Sequence, residues 1–212
     1  MHRSAVVRIR GIAIVASLWC ASTAQAFTVT ISAGSPRAIY LQVGVGSFTG
    51  LYNSGGTPGA NPTVNVVSAN VPAAAVGSGA AQAMSSNTGA TNSFYDNYAF
   101  CNSGQLYVGG FYRFTSNAGG AAATLTANSS TPLVNATGET IPFTQISWTS
   151  SGNGDSGAQP FPAGTFNGGT QTIGTIARNQ WAESCMTFSY LNSAIVASGT
   201  FTGTVTYTLT AP

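Results

Sequence analysis

The chain has 212 residues, of which only 5% are charged, and six basic against four acidic side chains give a formal charge of +2. It contains no lysine, so the positive surface of a nucleic-acid binder and a polybasic membrane anchor are both excluded. Hydrophobic residues make up 43%, enough for a buried core, and the low charge therefore does not signal disorder.

Arg3, Arg8 and Arg10 form a basic start, residues 11–20 an apolar run, and Ala24-Gln25-Ala26 a small-x-small cleavage pattern. This predicts a secretory signal peptide over 1–26 and one β-sandwich domain over 27–212. The apolar run is too short to span a bilayer, and no transmembrane segment is predicted. Cys20 follows Trp19 rather than the small residue that lipidation needs. The expected location is the periplasm, cell surface or extracellular space. Removal of the leader takes His2 and three arginines with it. Arg37, Arg113 and Arg178 then face Asp96, Glu139, Asp155 and Glu183, for a formal charge of −1.

Short strand signals follow one another along the mature chain. Residues 27–32 and 38–45 alternate with a period of two. Residues 63–68 and 98–101 are shorter candidates. The aromatic-rich stretch 105–115 carries Gly109 and Gly110, which predicts a bulge or bend. Further strands are expected over 121–127, 141–149, 171–176, 183–190 and 199–212, with Pro142 confining the start of its strand to a sheet edge. Clusters of Gly, Asn and Ser separate them. Residues 46–62 and 83–97 read as long loops, and 73–84 offers at most one helical turn. About ten short strands in one domain predict an all-β, immunoglobulin-like antiparallel sandwich.

Cys101 and Cys185 are the two cysteines of the mature chain, and export makes a disulfide between them the expected state. The pair would bring Asp96 and Glu183 near each other, since each lies close in sequence to one cysteine. Catalytic chemistry is otherwise thin. Without histidine there is no Ser-His-Asp set, and no motif pairs the four carboxylates for glycoside cleavage. No catalytic, cofactor-binding or metal residue is assigned. Residues 152–155 resemble a fragment of a calcium loop but read better as a glycine-rich turn. Asn128 and Asn135 each open an N-glycosylation pattern. Tyr95, Tyr98, Tyr107 and Tyr112 are candidate surface aromatics that could stack on sugar rings, whereas Trp148 and Trp181 read as core.

At the C-terminus Thr200, Thr202, Thr204, Thr206, Thr208 and Thr210 form one face, and Phe201, Val205, Tyr207 and Leu209 the other. At the start of the mature chain Phe27, Val29 and Ile31 alternate with Thr28 and Thr30. These two stretches resemble the closing and opening strands of spore-coat-U-type pilins, subunits of archaic chaperone–usher fimbriae of Gram-negative bacteria. The resemblance implies an incomplete, pilin-like sandwich filled by a neighbour's N-terminal strand, with Phe27, Val29 and Ile31 as strand-addition residues. It implies other copies of the chain, a periplasmic chaperone and an usher as partners. The leading expectation is a secreted, non-enzymatic surface protein in assembly or adhesion. The alternative is a self-complete sandwich that binds surface glycans or another ligand through its aromatics and long loops.

Overall fold

The computed structural model describes residues 28–53 and 55–212. The expected signal peptide over 1–26 and the expected strand-addition residue Phe27 lie outside the described residues. Fifteen strands follow in order: β1 (Thr28–Thr30), β2 (Ala38–Val43), β3 (Gly46–Leu51), β4 (Val67–Ser68), β5 (Gln82–Ala83), β6 (Ser85–Ser86), β7 (Leu106–Arg113), β8 (Ala123–Asn128), β9 (Leu133–Val134), β10 (Thr140–Ile141), β11 (Ile146–Ser151), β12 (Gly164–Thr165), β13 (Thr170–Ile176), β14 (Gln180–Tyr190) and β15 (Thr206–Thr210). Two short 3₁₀ turns, Ala73–Ala75 and Phe143–Gln145, are the helical elements of the described residues. The fold is all-β and antiparallel, with more and shorter strands than the ten expected.

The main sheet runs β12-β11-β14-β7-β2-β3, and a smaller sheet runs β13-β8-β15. Their facing sides share one core. β7 and β14 send in Leu106, Val108, Tyr112, Ala182, Met186 and Phe188, and the small sheet answers with Leu125, Ile173, Ile176 and Leu209. The period of two explains this division, because alternate residues of each strand point at the same layer. Trp148 joins this core, with its indole N–H donating to the Pro162 carbonyl at 2.9 Å.

The other face of the main sheet carries a second cluster. It contains Tyr40, Phe100, Cys101, Tyr107, Trp181 and Cys185. Cys101 and Cys185 are joined in a disulfide, with Cα atoms 5.4 Å apart and 84 residues of separation. The bridge ties the segment before β7 onto β14, so the outward face of β14 is covered as well as its inward one.

Several strands depart from the sequence reading. Residues 98–101 form only the bridge from Ala99 to Asn92, 63–68 pairs at Val67–Ser68 alone, and 141–149 is divided by the Phe143–Gln145 turn. Gly109 and Gly110 make no bulge: β7 keeps unbroken register with β14 on one side and β2 on the other. The glycines are required by close approach instead, since a Cβ on Gly110 would run into the Tyr40 carbonyl oxygen and one on Gly109 into the Tyr107 hydroxyl. The one register shift lies between Thr172 and Gly174 in β13. Residues 46–51, expected as loop, form β3, paired to β2 through a tight turn in which Gly44 takes φ 56°. The long terminal strand is shorter than expected: regular pairing covers Thr206–Thr210, and before it only Thr202 bridges, to Val134.

The disulfide closes a loop long enough to contribute about 4–5 kcal/mol through the chain entropy of the unfolded state. Replacing both cysteines by alanine is expected to lower the unfolding free energy by up to about that amount. Denaturant titration of the double variant checks this, and an unchanged midpoint would show that the bridge is dispensable.

Candidate functional site

The sandwich is open on one side. β15 is the outer strand of the small sheet and β3 the outer strand of the main sheet. Between them lies an apolar groove of about 390 Å³ that reaches into the shared core, where Leu41, Val43, Phe48, Leu106, Val205 and Tyr207 line it. Residues 57–65 run along its mouth. They are fastened to the main sheet by side-chain amides. Asn61 donates to the Ser47 carbonyl at 2.5 Å, and Asn65 donates to the Val43 carbonyl at 2.6 Å. Among the described residues the backbone bridge nearest to this segment and β15 joins Gly56, just before the segment, to Ala211, just after the strand. An outer strand without a partner along its length is a template for pairing with another chain. A second cleft, of about 1370 Å³, continues from the groove past Val66, Val134 and Ile195, three hydrophobic residues that are exposed.

The outward face of the main sheet holds a different assembly. Glu183 lies on β14 directly opposite Gly109 on β7. Because Gly109 has no side chain, the Tyr107 ring can lie across it and reach the carboxylate. The Tyr107 hydroxyl donates to Glu183 Oε2 at 2.6 Å, and the Trp181 indole N–H donates to the same oxygen at 2.9 Å. Glu183 is fully buried, and its Oε1 meets no partner by hydrogen-bond geometry. Burial raises its pKa above the usual carboxylate value. Hydrogen bonds from Tyr107 and Trp181 and the nearby Ser93 hydroxyl oppose that shift, and the nearby Asp96 charge adds to it. Burial and the adjoining carboxylate also hold the Tyr107 hydroxyl well above its ordinary range, so it stays a donor.

A turn over residues 92–98 covers this cluster. Asn97 takes a left-handed conformation there, and the Asn92 amide donates to its carbonyl at 3.2 Å. Phe94 stacks on Tyr40 at 4.8 Å between ring centroids and on Trp181 at 6.0 Å. Phe94, Tyr95 and Tyr98 nonetheless remain exposed.

The expected site residues therefore separate. Tyr95 and Tyr98 are at the surface. Tyr107 and Tyr112 are not: Tyr107 is covered by the 92–98 turn and engaged with Glu183, and Tyr112 points into the core between the sheets. Val29 and Ile31 are partly buried against the second cluster, and β1 pairs with β14 of its own chain, Val29 opposite Trp181. Asn135 has its side-chain oxygen occupied by the backbone N–H groups of Thr137 and Glu139, and its amide donates to Glu139. In the 152–155 turn Asp155 accepts from the backbone of Gly157 and from Gln159. The resemblance implied an incomplete sandwich, but the place of the groove and its lining were not legible, because they are made by the relative placement of two sheet edges. Comparison with models of known families, with curated proteins and with solved structures returns no match.

Because its pKa is raised in the folded chain, Glu183 binds its proton more tightly there than in the unfolded chain. Its contribution to stability is fullest below the ordinary carboxylate range of about 4 and is lost as the pH rises through the raised folded value. E183Q keeps an acceptor for Tyr107 and Trp181 and removes the titration. The variant should gain melting temperature relative to the native chain as the pH climbs from about 4 to about 8. Parallel melting profiles across that interval would contradict this account.

Proposed function

We propose that the chain is an exported, non-enzymatic surface protein of fimbrial-subunit-like build, whose open groove receives an extended segment from a neighbouring copy. The observation that carries this reading is the apolar groove beside the outer edge of the last strand, β15. An inserted strand gains main-chain hydrogen bonds from such an edge, and alternate apolar side chains fill the cavity beneath it. Val29 and Ile31 supply that alternation together with Phe27. β1 is three residues long and pairs with β14 alone, so its exchange between copies would break a short ladder. A periplasmic chaperone and an usher belong to the same reading, as does the pilin-like identity that the first and last strands resemble.

The decisive comparison is between mature protein and a form lacking residues 27–33, followed by light scattering for assembly and by circular dichroism for folding. The reading requires that the intact protein assembles and that the shortened one folds but stays monomeric. A shortened chain that cannot fold, or an intact one that never assembles, removes assembly by this strand.

One observation favours adhesion through a ligand as a second reading. Phe94, Tyr95 and Tyr98 stand exposed on one turn whose base is stacked on Tyr40 and Trp181. Tyr95 and Tyr98 there present an apolar face with a polar tip, the combination that suits a sugar ring. On this reading a glycan array binds the native protein, and the Tyr95→Ala, Tyr98→Ala double variant loses that signal at least tenfold while melting at the same temperature. Unchanged binding by the double variant would dismiss the turn as the contact surface.

A further inference from the structure

The 92–98 turn holds itself together. The Ser93 N–H donates to the Tyr98 carbonyl at 2.8 Å, and the Asn97 N–H to the Ser93 carbonyl at 2.9 Å. The Tyr95 N–H donates to the Ser93 hydroxyl at 3.1 Å, and the Tyr98 N–H to Asp96 Oδ1 at 2.9 Å. Just beyond the turn, the Cys101 N–H donates to the Thr91 carbonyl at 2.7 Å, and the disulfide fixes Cys101 to Cys185. Attachment to the sheet beneath is of another kind. The Phe94 N–H reaches the Tyr107 hydroxyl at 3.5 Å, and Phe94 and Tyr95 lie against Trp181 at 6.0 and 6.1 Å between ring centroids. The turn can therefore lift from the sheet with its internal hydrogen bonds intact, a local opening about a fixed base.

Beneath it lies an acid. Glu183 is fully buried, with two donors on Oε2 and none meeting Oε1 by hydrogen-bond geometry. A carboxylate so placed is costly until water reaches it or it takes a proton. The groups that bear on it are Tyr107 from β7, Trp181 from β14 itself, and Ser93 and Asp96 from the turn, while Tyr40 of β2 bears on Tyr107. Asp96 is the charged member of this set and has the same sign as an ionised Glu183, so the two repel. Asp155, a further acid, sits on the adjoining 152–155 turn, whose Gly154 lies against the Tyr98 hydroxyl, and it accepts from Gly157 and Gln159. The arginines are engaged elsewhere. Arg113 closes β7 four residues, or about 13 Å, beyond Gly109 and donates to the Pro36 carbonyl. Arg37 and Arg178 precede β2 and β14 and donate to the carbonyls of Asn53 and of Ala118 and Gly119.

We propose that the 92–98 turn is a pH-operated cover, closed on the outward face of the main sheet while Glu183 holds its proton and lifted once that acid ionises. Lifting gives the carboxylate water, takes Asp96 away from it, and uncovers Tyr40, Tyr107 and Trp181. The direction follows from linkage. The enclosed acid binds its proton more tightly than an exposed one, so the closed form is favoured at low pH and the lifted form at high pH. Above the ordinary carboxyl value of about 4, the lifted fraction grows by about tenfold per pH unit until the enclosed acid itself ionises. The device controls the face that carries Tyr95 and Tyr98. It stands whether or not that face binds a glycan, and it is separate from the groove beside β15.

The indole N–H groups report the opening. With the expected leader removed, Trp148 and Trp181 are the tryptophans of the chain. Trp148 donates to Pro162 in the core between the sheets and serves as the internal reference. Solvent exchange of both indole protons is followed by NMR from about pH 5 to about pH 8, above the ordinary carboxyl value, with each rate divided by that of free N-acetyltryptophanamide at the same pH. Protection of Trp181 should fall by up to about tenfold per pH unit, while that of Trp148 holds. In E183Q the protection of Trp181 should stay level. D96N keeps the acceptor for Tyr98 and removes the charge of the turn, so the fall should be smaller and end at a lower pH. Level protection of Trp181 in the native chain, the same fall in E183Q, or a parallel fall at Trp148 overturns the proposal. If E183Q does not fold, D96N decides: a curtailed fall supports the cover, and a profile equal to the native one overturns it.

Discussion

β14 is buried on both of its faces, and most of the structure answers that requirement. Five of its residues pair with a strand on each side: β7 and β5 flank one edge, and β1 and β11 share the other. An antiparallel strand in this position needs two separate covers, since alternate side chains point to opposite layers. The small sheet provides the first cover, over Ala182, Met186 and Phe188. The disulfide and the 92–98 turn provide the second, over Trp181, Glu183 and Cys185. The covalent tie at Cys185 and the stacking of Phe94 on Tyr40 and Trp181 hold this second cover in place.

Burying both faces placed a carboxylate out of reach of bulk solvent. An ionised group in such a position costs several kcal/mol unless it is paired and hydrogen-bonded. The chain supplies two donors to one oxygen, from Tyr107 and Trp181, and leaves the rest of the cost as a raised pKa. The geometry depends on Gly109, the residue opposite, because any side chain there would displace the Tyr107 ring. A glycine in the middle of a central strand, unfavourable by propensity, is thus the condition for the Tyr107–Glu183 hydrogen bond.

Alternation made the strands legible wherever both layers were apolar on one side and polar on the other. It failed in two ways. Gly46, Ser47 and Gly50 gave β3 too little apolar signal, so a hairpin partner read as loop, although Gly44 carried the turn that makes it. Residues 199–205 gave a strong signal yet find no ladder, because alternation reports how a strand would be buried and not whether a neighbour is present. The same limit hid the groove beside β15. The buried state of Tyr107 was equally out of reach, since it follows from the 92–98 turn folding over the sheet. The disulfide was legible from the expected leader, which removes Cys20 and leaves two cysteines for an oxidising space, and with it the approach of Asp96 to Glu183, whose pKa it helps to raise.

The loops of this chain are organised by amides. Asn192 is fully buried and bonds the Ala75 and Ala80 carbonyls, the Ser78 hydroxyl and the Gly77 N–H; Asn179 accepts from Phe114 and donates to Ser116 and Asn117. Both sit in left-handed turns, where asparagine is the side chain best able to serve without glycine. Neutral hydrogen bonds of this kind are not screened by dissolved ions as surface charge pairs are. The loops that Asn179 and Asn192 hold consequently depend less on dissolved salt than loops fastened by surface ion pairs would.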